Sequence, residues 1–393
     1  MKALVTGIKP YLARLNRYHP DYTAPRFDGF APIRTRKQVI DATVFNGNTG
    51  NYFIGEAAIE AVSREKATFI DFGFLRKKTV DPEYLAGINA GFDCVVFVTA
   101  NLLRSDYDAA AEAELLDRFN LPIVVLGIGC QRLRDLPSGI PAGTLRFIEV
   151  LKSKDHHIFT RGAPSAAYLL SQGLKQVWPT GCPSLFLRPR NIVSALHALK
   201  LVDWKASLRI AFSGYLGGDV VAVRDIKFFA HRSRGCNYIL QDEHLSYSLK
   251  FDAADAEEIY NDLSGELTHV SPFTGSSDIQ DVRLRLFFNT HQWRAAAAMH
   301  DVSFGRRFHG VVAALQAGVP GLMIANDDRM REMLQQFDLP CIDVADWSAA
   351  ELKKEKMALI EKAVAGFDAD QWAERFLEAV ALFRKRMSAL GLG

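Results

Sequence analysis

The sequence predicts an α/β protein built as two Rossmann-like lobes whose mostly parallel sheets face a cleft. Three observations carry that prediction. Short apolar runs alternate with helical patterns along most of the chain, the layout of a parallel sheet covered on both faces by helices. At 393 residues the chain exceeds what one ordinary core encloses, and the alternation restarts after residue 205. Apolar residues make up 49% and charged residues 23%, the balance of a soluble globular protein.

The opening stretch, residues 1–37, carries Pro10, Pro20, Pro25 and Pro32 and reads as an irregular lead-in packed on the first lobe. The first lobe, residues 38–190, is expected to hold strands over Val39–Phe45, Ala67–Phe72, Cys94–Thr99, Ile123–Ile128, His157–Thr160 and Val177–Trp178. Helical patterns lie between them near Phe53–Ser63, Asp108–Phe119, Thr144–Lys152 and Ala163–Ser171. Arg188–Lys205, with Pro189 near its start, reads as a linker. The second lobe, residues 206–393, resumes with strands at Leu208–Ser213, Cys236–Leu240, Thr268–Ser271, Val302–Gly305 and Gly321–Ile324. A helix is expected over Asp281–Met299, and the charged stretch from Ala349 to Leu392 is helical.

Composition removes several function classes. A net charge of +2, from 47 basic and 45 acidic side chains, argues against the broad electrostatic footprint of a nucleic-acid binder, so any anion binding must be local. The five cysteines, Cys94, Cys130, Cys182, Cys236 and Cys341, show neither zinc spacing nor a disulfide framework. Charges and a proline break the first apolar stretch, and no run approaches the roughly 20 apolar residues of a membrane span. A cytoplasmic protein without metal or cofactor is expected.

Candidate chemistry gathers where strands hand over to helices, the binding edge of an open parallel sheet. Arg306, Arg307, Phe308 and His309 sit between a short strand and an apolar helix. Taken as an extended segment, Arg307 and His309 share a face while Phe308 packs inward. Arginine offers a planar fork to phosphate or carboxylate, and histidine donates a hydrogen bond or moves a proton near neutral pH. Spacing alone supports equally a surface ion pair and a helix-capping histidine. Asn48 and Asn51 lie in an Asn/Gly loop that suits sugar hydroxyls or a helix cap. Gly129 and Gln131 follow a strand, either at the binding edge or as a plain exit turn. Arg161 closes another strand in the first lobe. Asp327 starts a helix after a strand end, where an acid favours the helix N-terminus in any case. Cys182 has no His or Asp tied to it by spacing, so a structural role is assigned to it.

Five segments together resemble the polysaccharide pyruvyl transferase family: NTGNYFIGEAAIEAV, LGIGCQ, FTRGAPSAAYLLSQGL, PTGCPSLFL and RRFHGVVAALQAGVP. The resemblance runs from about Asn46 to Pro340, and the late Arg-x-His segment is its most specific part. It implies a GT-B-like fold and transfer of a pyruvyl group from phosphoenolpyruvate to a sugar, usually as a ketal on two hydroxyls. It also implies that Arg307 and His309 hold the donor, with the Phe308 backbone helping and Arg161 as a further anion contact. The loop Asn48–Asn51 would face a sugar or glycan acceptor; a lipid-linked acceptor would bring the protein to the inner membrane face. Two departures stand out. Gly50 is followed by Asn51 where the family commonly has Asp, and Asn326, Asp327 and Arg329 stand where many members show Tyr and Lys. Acceptor and base are therefore open. A nucleotide-sugar glycosyltransferase and a non-catalytic sugar- or anion-binding relative are the competing readings.

Overall fold

The computed structural model describes residues 1–9, 48–63, 65–78, 81–131, 139–214, 224–225, 228–229, 233–241, 250–251, 270–271 and 282–393. Within them lie two six-stranded sheets, each parallel throughout.

The first sheet comprises β1 (Ala3–Gly7), β2 (Ala67–Phe69), β3 (Cys94–Val98), β4 (Ile123–Ile128), β5 (His156–Thr160) and β6 (Val177–Pro179), in the order β2-β1-β3-β4-β5-β6. Its central strands, Cys-Val-Val-Phe-Val and Ile-Val-Val-Leu-Gly-Ile, are buried along their whole length. Continuous β-branched runs of this kind mark strands covered on both faces. The helices between them are α1 (Tyr52–Ala61), α2 (Phe72–Lys78), α3 (Pro82–Gly91), α4 (Ala110–Asp117), α5 (Ala142–Lys152) and α6 (Ala163–Ser171). Leu4, Val95, Val125 and Ile158 point to one face, where Phe119, Phe147 and Leu169 of the helical layer cover them. Val5, Val96, Leu126 and Phe159 point to the other.

After α7 (Pro189–Ala198) the second sheet begins. It holds β7 (Leu208–Ser213), β8 (Ser233–Leu240), β11 (Val282–Leu286), β12 (Val302–Gly305), β13 (Gly321–Ala325) and β14 (Cys341–Asp343), in the order β11-β8-β7-β12-β13-β14. Counted within the lobe, that is the dinucleotide-fold order 3-2-1-4-5-6, whose switch point falls between β7 and β12. A separate antiparallel pair, β9 (Lys250–Phe251) and β10 (Val270–Ser271), stands outside it. Helices α8 (Thr290–Ala297), α9 (Phe308–Gln316), α10 (Asp328–Gln335), α11 (Val344–Ala349), α12 (Lys353–Ala365) and α13 (Ala369–Ala389) complete the lobe.

One core runs through both lobes. Val5, Val96 and Phe159 of the first sheet belong to the same buried cluster as Phe212, Phe304 and Leu322 of the second. Helix α13 crosses to the first lobe, where the Phe383 ring lies 5.5 Å from Phe159 and 4.7 Å from Phe186. Phe53 of α1 crosses the other way, edge-on to Trp293 at 5.3 Å. A buried polar clamp lies beside it. Both Glu56 oxygens accept from Arg294, at 2.8 and 2.9 Å, and Arg294 also donates to Gln316 at 3.0 Å.

The structure departs from the sequence reading in four places. Ala3–Gly7 is an inner strand of the first sheet, not part of an irregular lead-in; five apolar or small residues suffice because β2 and β3 pair with both edges. Arg188–Lys205 is no linker: α7 buries Ile192, Ala195 and Leu196 against the core. The helix expected over Asp281–Met299 divides into β11 and α8, since Val-Arg-Leu-Arg-Leu alternates with the period of a strand. The strand expected over Thr268–Ser271 is the two-residue β10, outside the main sheet. The strand expected over Val39–Phe45 and residues 10–37 of the lead-in lie outside the described residues.

Candidate functional site

The last residues of β7 and β12 run side by side at the switch point, with Gly305 in register with Ser213. There the backbone N–H groups of Arg306 and Arg307 both donate to the Ser213 carbonyl, at 2.7 and 3.2 Å. Arg307 keeps extended dihedrals (φ −111°, ψ 113°) and is the residue before α9. Phe308 already opens the helix, so Arg307 and His309 are not on one face of an extended segment as their spacing suggests. The Arg307 guanidinium turns to the end of β7, its Nε donating to the Gly214 carbonyl at 3.2 Å. His309 instead occupies the first turn of a helix whose every residue is buried. Phe308 packs into the core, edge-on to the imidazole at 5.4 Å.

Arg306 is committed to the fold. Its guanidinium meets Asp225 at 2.7 Å, and the same carboxylate accepts from Trp347 Nε1 at 2.7 Å and Lys356 Nζ at 3.5 Å. Burial pushes the Asp225 carboxyl above its ordinary range in spite of the pull of Arg306, Trp347 and Lys356.

The first lobe supplies the other wall around His309. The Asn48 side chain accepts from Gly50 N–H at 2.8 Å and caps a short 3₁₀ turn over Thr49–Asn51. Thr49 N–H donates across to the Gln241 carbonyl, at 3.1 Å. A Cβ on Gly50 would lie 2.8 Å from His309 Cβ and 2.6 Å from Gln241 Oε1, so only glycine lets this loop reach α9. Asn51 precedes α1 and makes no capping hydrogen bond through its side chain. The Phe53 ring lies parallel to the His309 imidazole, centroids 6.4 Å apart.

Arg161, at the end of β5, is 2% exposed. One guanidinium nitrogen donates to Asn101 Oδ1 at 2.7 Å, while Nε and the second terminal nitrogen are buried without a hydrogen-bond partner. A Cβ on Gly129 would lie 2.9 Å from Arg161 Cδ, so this glycine makes room for the arginine's stem. Gln131 is engaged elsewhere, its Oε1 accepting from Arg104 at 3.2 Å. Asp327 is the N-cap of α10, accepting from Met330 N–H at 2.8 Å, and it also meets Arg329 at 3.0 Å. Burial presses the Arg161 guanidinium below its usual range; Arg329 adds to this, while Cys182, Glu332 and Asp327 act in the opposite sense.

His309 is where the lobes meet electrostatically. Burial, then Arg161 and Arg329, hold its pKa well below the ordinary imidazole value. The ring is therefore neutral at neutral pH and lies among cations. A dianion brought beside Arg161, Arg329 and His309 would relieve that repulsion and raise the imidazole's proton affinity. Glu332 escapes sequence reasoning here, while Cys182 and Arg329 are visible in the sequence without a site role assigned to them. Cys182 Sγ lies 3.5 Å from His309 Nε2. Glu332 of α10 accepts from Ser165 N–H, at 2.8 Å, at the start of α6. Arg329 follows β13, in the same strand-end setting that marked Arg161, and that setting was its available signal. No group of three or more His, Cys, Asp or Glu side chains among the described residues is arranged to hold a metal ion. No helix among them is long and apolar enough to cross a membrane.

A family model described as polysaccharide pyruvyl transferase matches residues 48–328. No curated protein matches the chain. Among solved structures, the chain is similar to a putative UDP-N-acetylglucosamine 2-epimerase from Listeria monocytogenes, at 11% identity and a TM-score of 0.46, over 96% of this chain and 90% of that one. It is also similar to the UDP-GlcNAc 2-epimerase from Methanocaldococcus jannaschii, at 8% identity and a TM-score of 0.47, over 97% of this chain and 100% of that one.

Proposed function

Because the chain belongs to the polysaccharide pyruvyl transferase family, we propose that it moves a pyruvyl group from phosphoenolpyruvate onto two hydroxyls of a sugar or glycan, forming a ketal and releasing phosphate. The observation that carries this reading is the buried guanidinium of Arg161, two of whose nitrogens lack a hydrogen-bond partner, across from a neutral His309. A buried cation left this way is costly unless an anion completes it.

In this reading the donor's phosphate and carboxylate lie between Arg161 and the start of α9. Arg307 and the first N–H groups of the helix supply positive potential there. C3 of the enol takes a proton from solvent, and the oxygen of the first hydroxyl bonds to C2 as that hydroxyl passes its proton to His309, which later returns it to solvent. The C2–O bond to phosphate then breaks, phosphate departs with the electron pair, and the second hydroxyl closes the ketal and loses its own proton. His309 enters as a neutral imidazole, suited to taking a hydroxyl proton. Once a phosphate dianion is beside it, its raised proton affinity suits it to hold that proton. The loop over Asn48–Asn51 meets the acceptor, with Asn51 as an amide contact that cannot act as a base. The chemistry asks for no cofactor beyond the donor, and the protein works in the cytoplasm, where phosphoenolpyruvate is available.

The test is phosphate release from phosphoenolpyruvate in the presence of glycan acceptors, with thermal shift as the binding readout. Phosphoenolpyruvate is expected to raise the melting temperature and UDP- or GDP-sugars to leave it unchanged. Arg161→Ala and His309→Ala should each abolish release. Protection by a nucleotide sugar alone would replace the proposal with glycosyl transfer. Protection by phosphoenolpyruvate without turnover on any acceptor would reduce the protein to a binding relative.

A further inference from the structure

Cys182 is a buried nucleophilic group in contact with the candidate site that the proposed chemistry leaves unused. It is fully buried, on the turn after β6, with Sγ 3.5 Å from His309 Nε2 and 3.1 Å from Ser184 Oγ. The turn is rigid. Gly181 sits at φ +88°, and a Cβ there would lie 2.1 Å from the Phe337 ring, so a side chain at this position would be strained and would displace that ring. Pro183 follows and starts a 3₁₀ turn over Pro183–Phe186. The Ser184 carbonyl accepts from Gln316 Nε2 at 2.6 Å. Gln316 is the last residue of α9, the helix that carries His309 in its first turn. The thiol's segment is thus tied to the same helix at both ends, by a side chain at one and by the imidazole at the other.

The remaining surroundings of His309 restrict the ring without choosing its tautomer. Phe53 of α1 lies parallel to it and Phe308 meets its edge, and neither ring forms a conventional hydrogen bond with a ring nitrogen. Arg161, at the end of β5, and Arg329, of α10, bear on the imidazole as charges of like sign to its protonated form. Gly50 leaves the first-lobe loop against His309 Cβ. Among the described residues packed around the ring, the thiol engages Nε2.

We propose that Cys182 is the positioning residue for His309: it accepts a hydrogen bond from Nε2–H, donates its own S–H to Ser184 Oγ, and so leaves Nδ1 unprotonated toward the substrate. The inference rests on His309 acting as a proton acceptor in the reading above. It adds a chain of three groups, Ser184–Cys182–His309, that decides which ring nitrogen does the work. A wrong tautomer places a proton on the nitrogen that should take one, which lowers turnover while binding survives.

The experiment uses the full chain labelled with ¹⁵N-histidine, with the His309 signals assigned from His309→Asn. Long-range ¹⁵N–¹H spectra should show the Nε2–H tautomer in the unsubstituted protein and in Cys182→Ser, and a mixture in Cys182→Val, which is apolar, one carbon bulkier and without the hydrogen bond. Cys182→Ala repeats the comparison if valine does not pack. In phosphate release, the valine variant should lose at least about tenfold in kcat, with KM for phosphoenolpyruvate within about twofold. Its pH profile should shift, and serine should restore both. An Nδ1–H tautomer in the unsubstituted protein would overturn the inference, as would a valine variant with unchanged tautomer and kcat. If no acceptor supports turnover, the proposed activity fails, and the tautomer measurement still decides the role of Cys182.

Discussion

Arg306 and Arg161 are two buried arginines at strand ends, one in each lobe, and the protein treats them differently. Arg306 faces a carboxylate at 2.7 Å that Trp347 and Lys356 also hold, so its charge is answered by an ion pair, although its Nε and one terminal nitrogen lack hydrogen-bond partners as those of Arg161 do. Arg161 has a neutral amide oxygen on one nitrogen and no hydrogen-bond partner on two others. Burying a cation away from any counter-ion opposes folding, and an ion pair offsets part of that cost. The contrast separates a guanidinium that is ion-paired within the fold from one held by a neutral amide.

The largest expected effect attacks the ion-paired member. Asp225→Asn leaves Arg306 and Lys356 buried without their shared carboxylate, and urea unfolding should show a loss of about 3–5 kcal/mol. A loss below about 1 kcal/mol would mean that the two arginines are less different than their partners imply. Next comes Arg161→Met, which keeps an unbranched stem and removes the unsatisfied charge. In phosphate-free buffer it should gain about 1–3 kcal/mol of stability and lose protection by phosphoenolpyruvate. A destabilised variant would mean that Arg161 is structural after all.

The smallest effect concerns the imidazole that Arg161 faces. The folded pKa of His309 is lowered, so below about 6.5 the unfolded chain binds a proton that the native state refuses. Stability from this group is intact above that pH and falls as the pH drops through it, by up to about 1.4 kcal/mol per unit. Melting curves between about pH 7.5 and 5.5 should therefore be steeper for the unsubstituted protein than for His309→Asn. Equal slopes would show that burial and the two cations do not lower the imidazole's proton affinity.

Contiguous features were legible in the sequence; features joined across the chain were not. The strand, turn and helix around Arg307 and His309 are one uninterrupted pattern, and the fully buried runs of β3 and β4 announce themselves by β-branched composition. The family resemblance likewise rests on segments readable one at a time. Cys182 and His309 stand 127 positions apart, and no spacing rule joins a thiol after one strand to an imidazole after another. Arg306 reads as a ligand candidate until Asp225, 81 positions earlier in the numbering of the chain, is seen to hold it. β1 is too short for periodicity to declare, and its neighbours rather than its own composition make it a strand.

The crossing of α13 back to the first lobe has a consequence for how the protein is made. Phe383 covers Phe159 and Phe186, and Lys66 reaches the Gly393 carbonyl at 2.9 Å. On the ribosome, Phe159 and Phe186 emerge long before that cover. At about 5–20 residues per second, the wait between them lasts roughly 10–40 s. Trp178 and Phe337 cover part of these rings earlier, and until α13 emerges the rest of this aromatic face is open to chaperones and to other nascent chains.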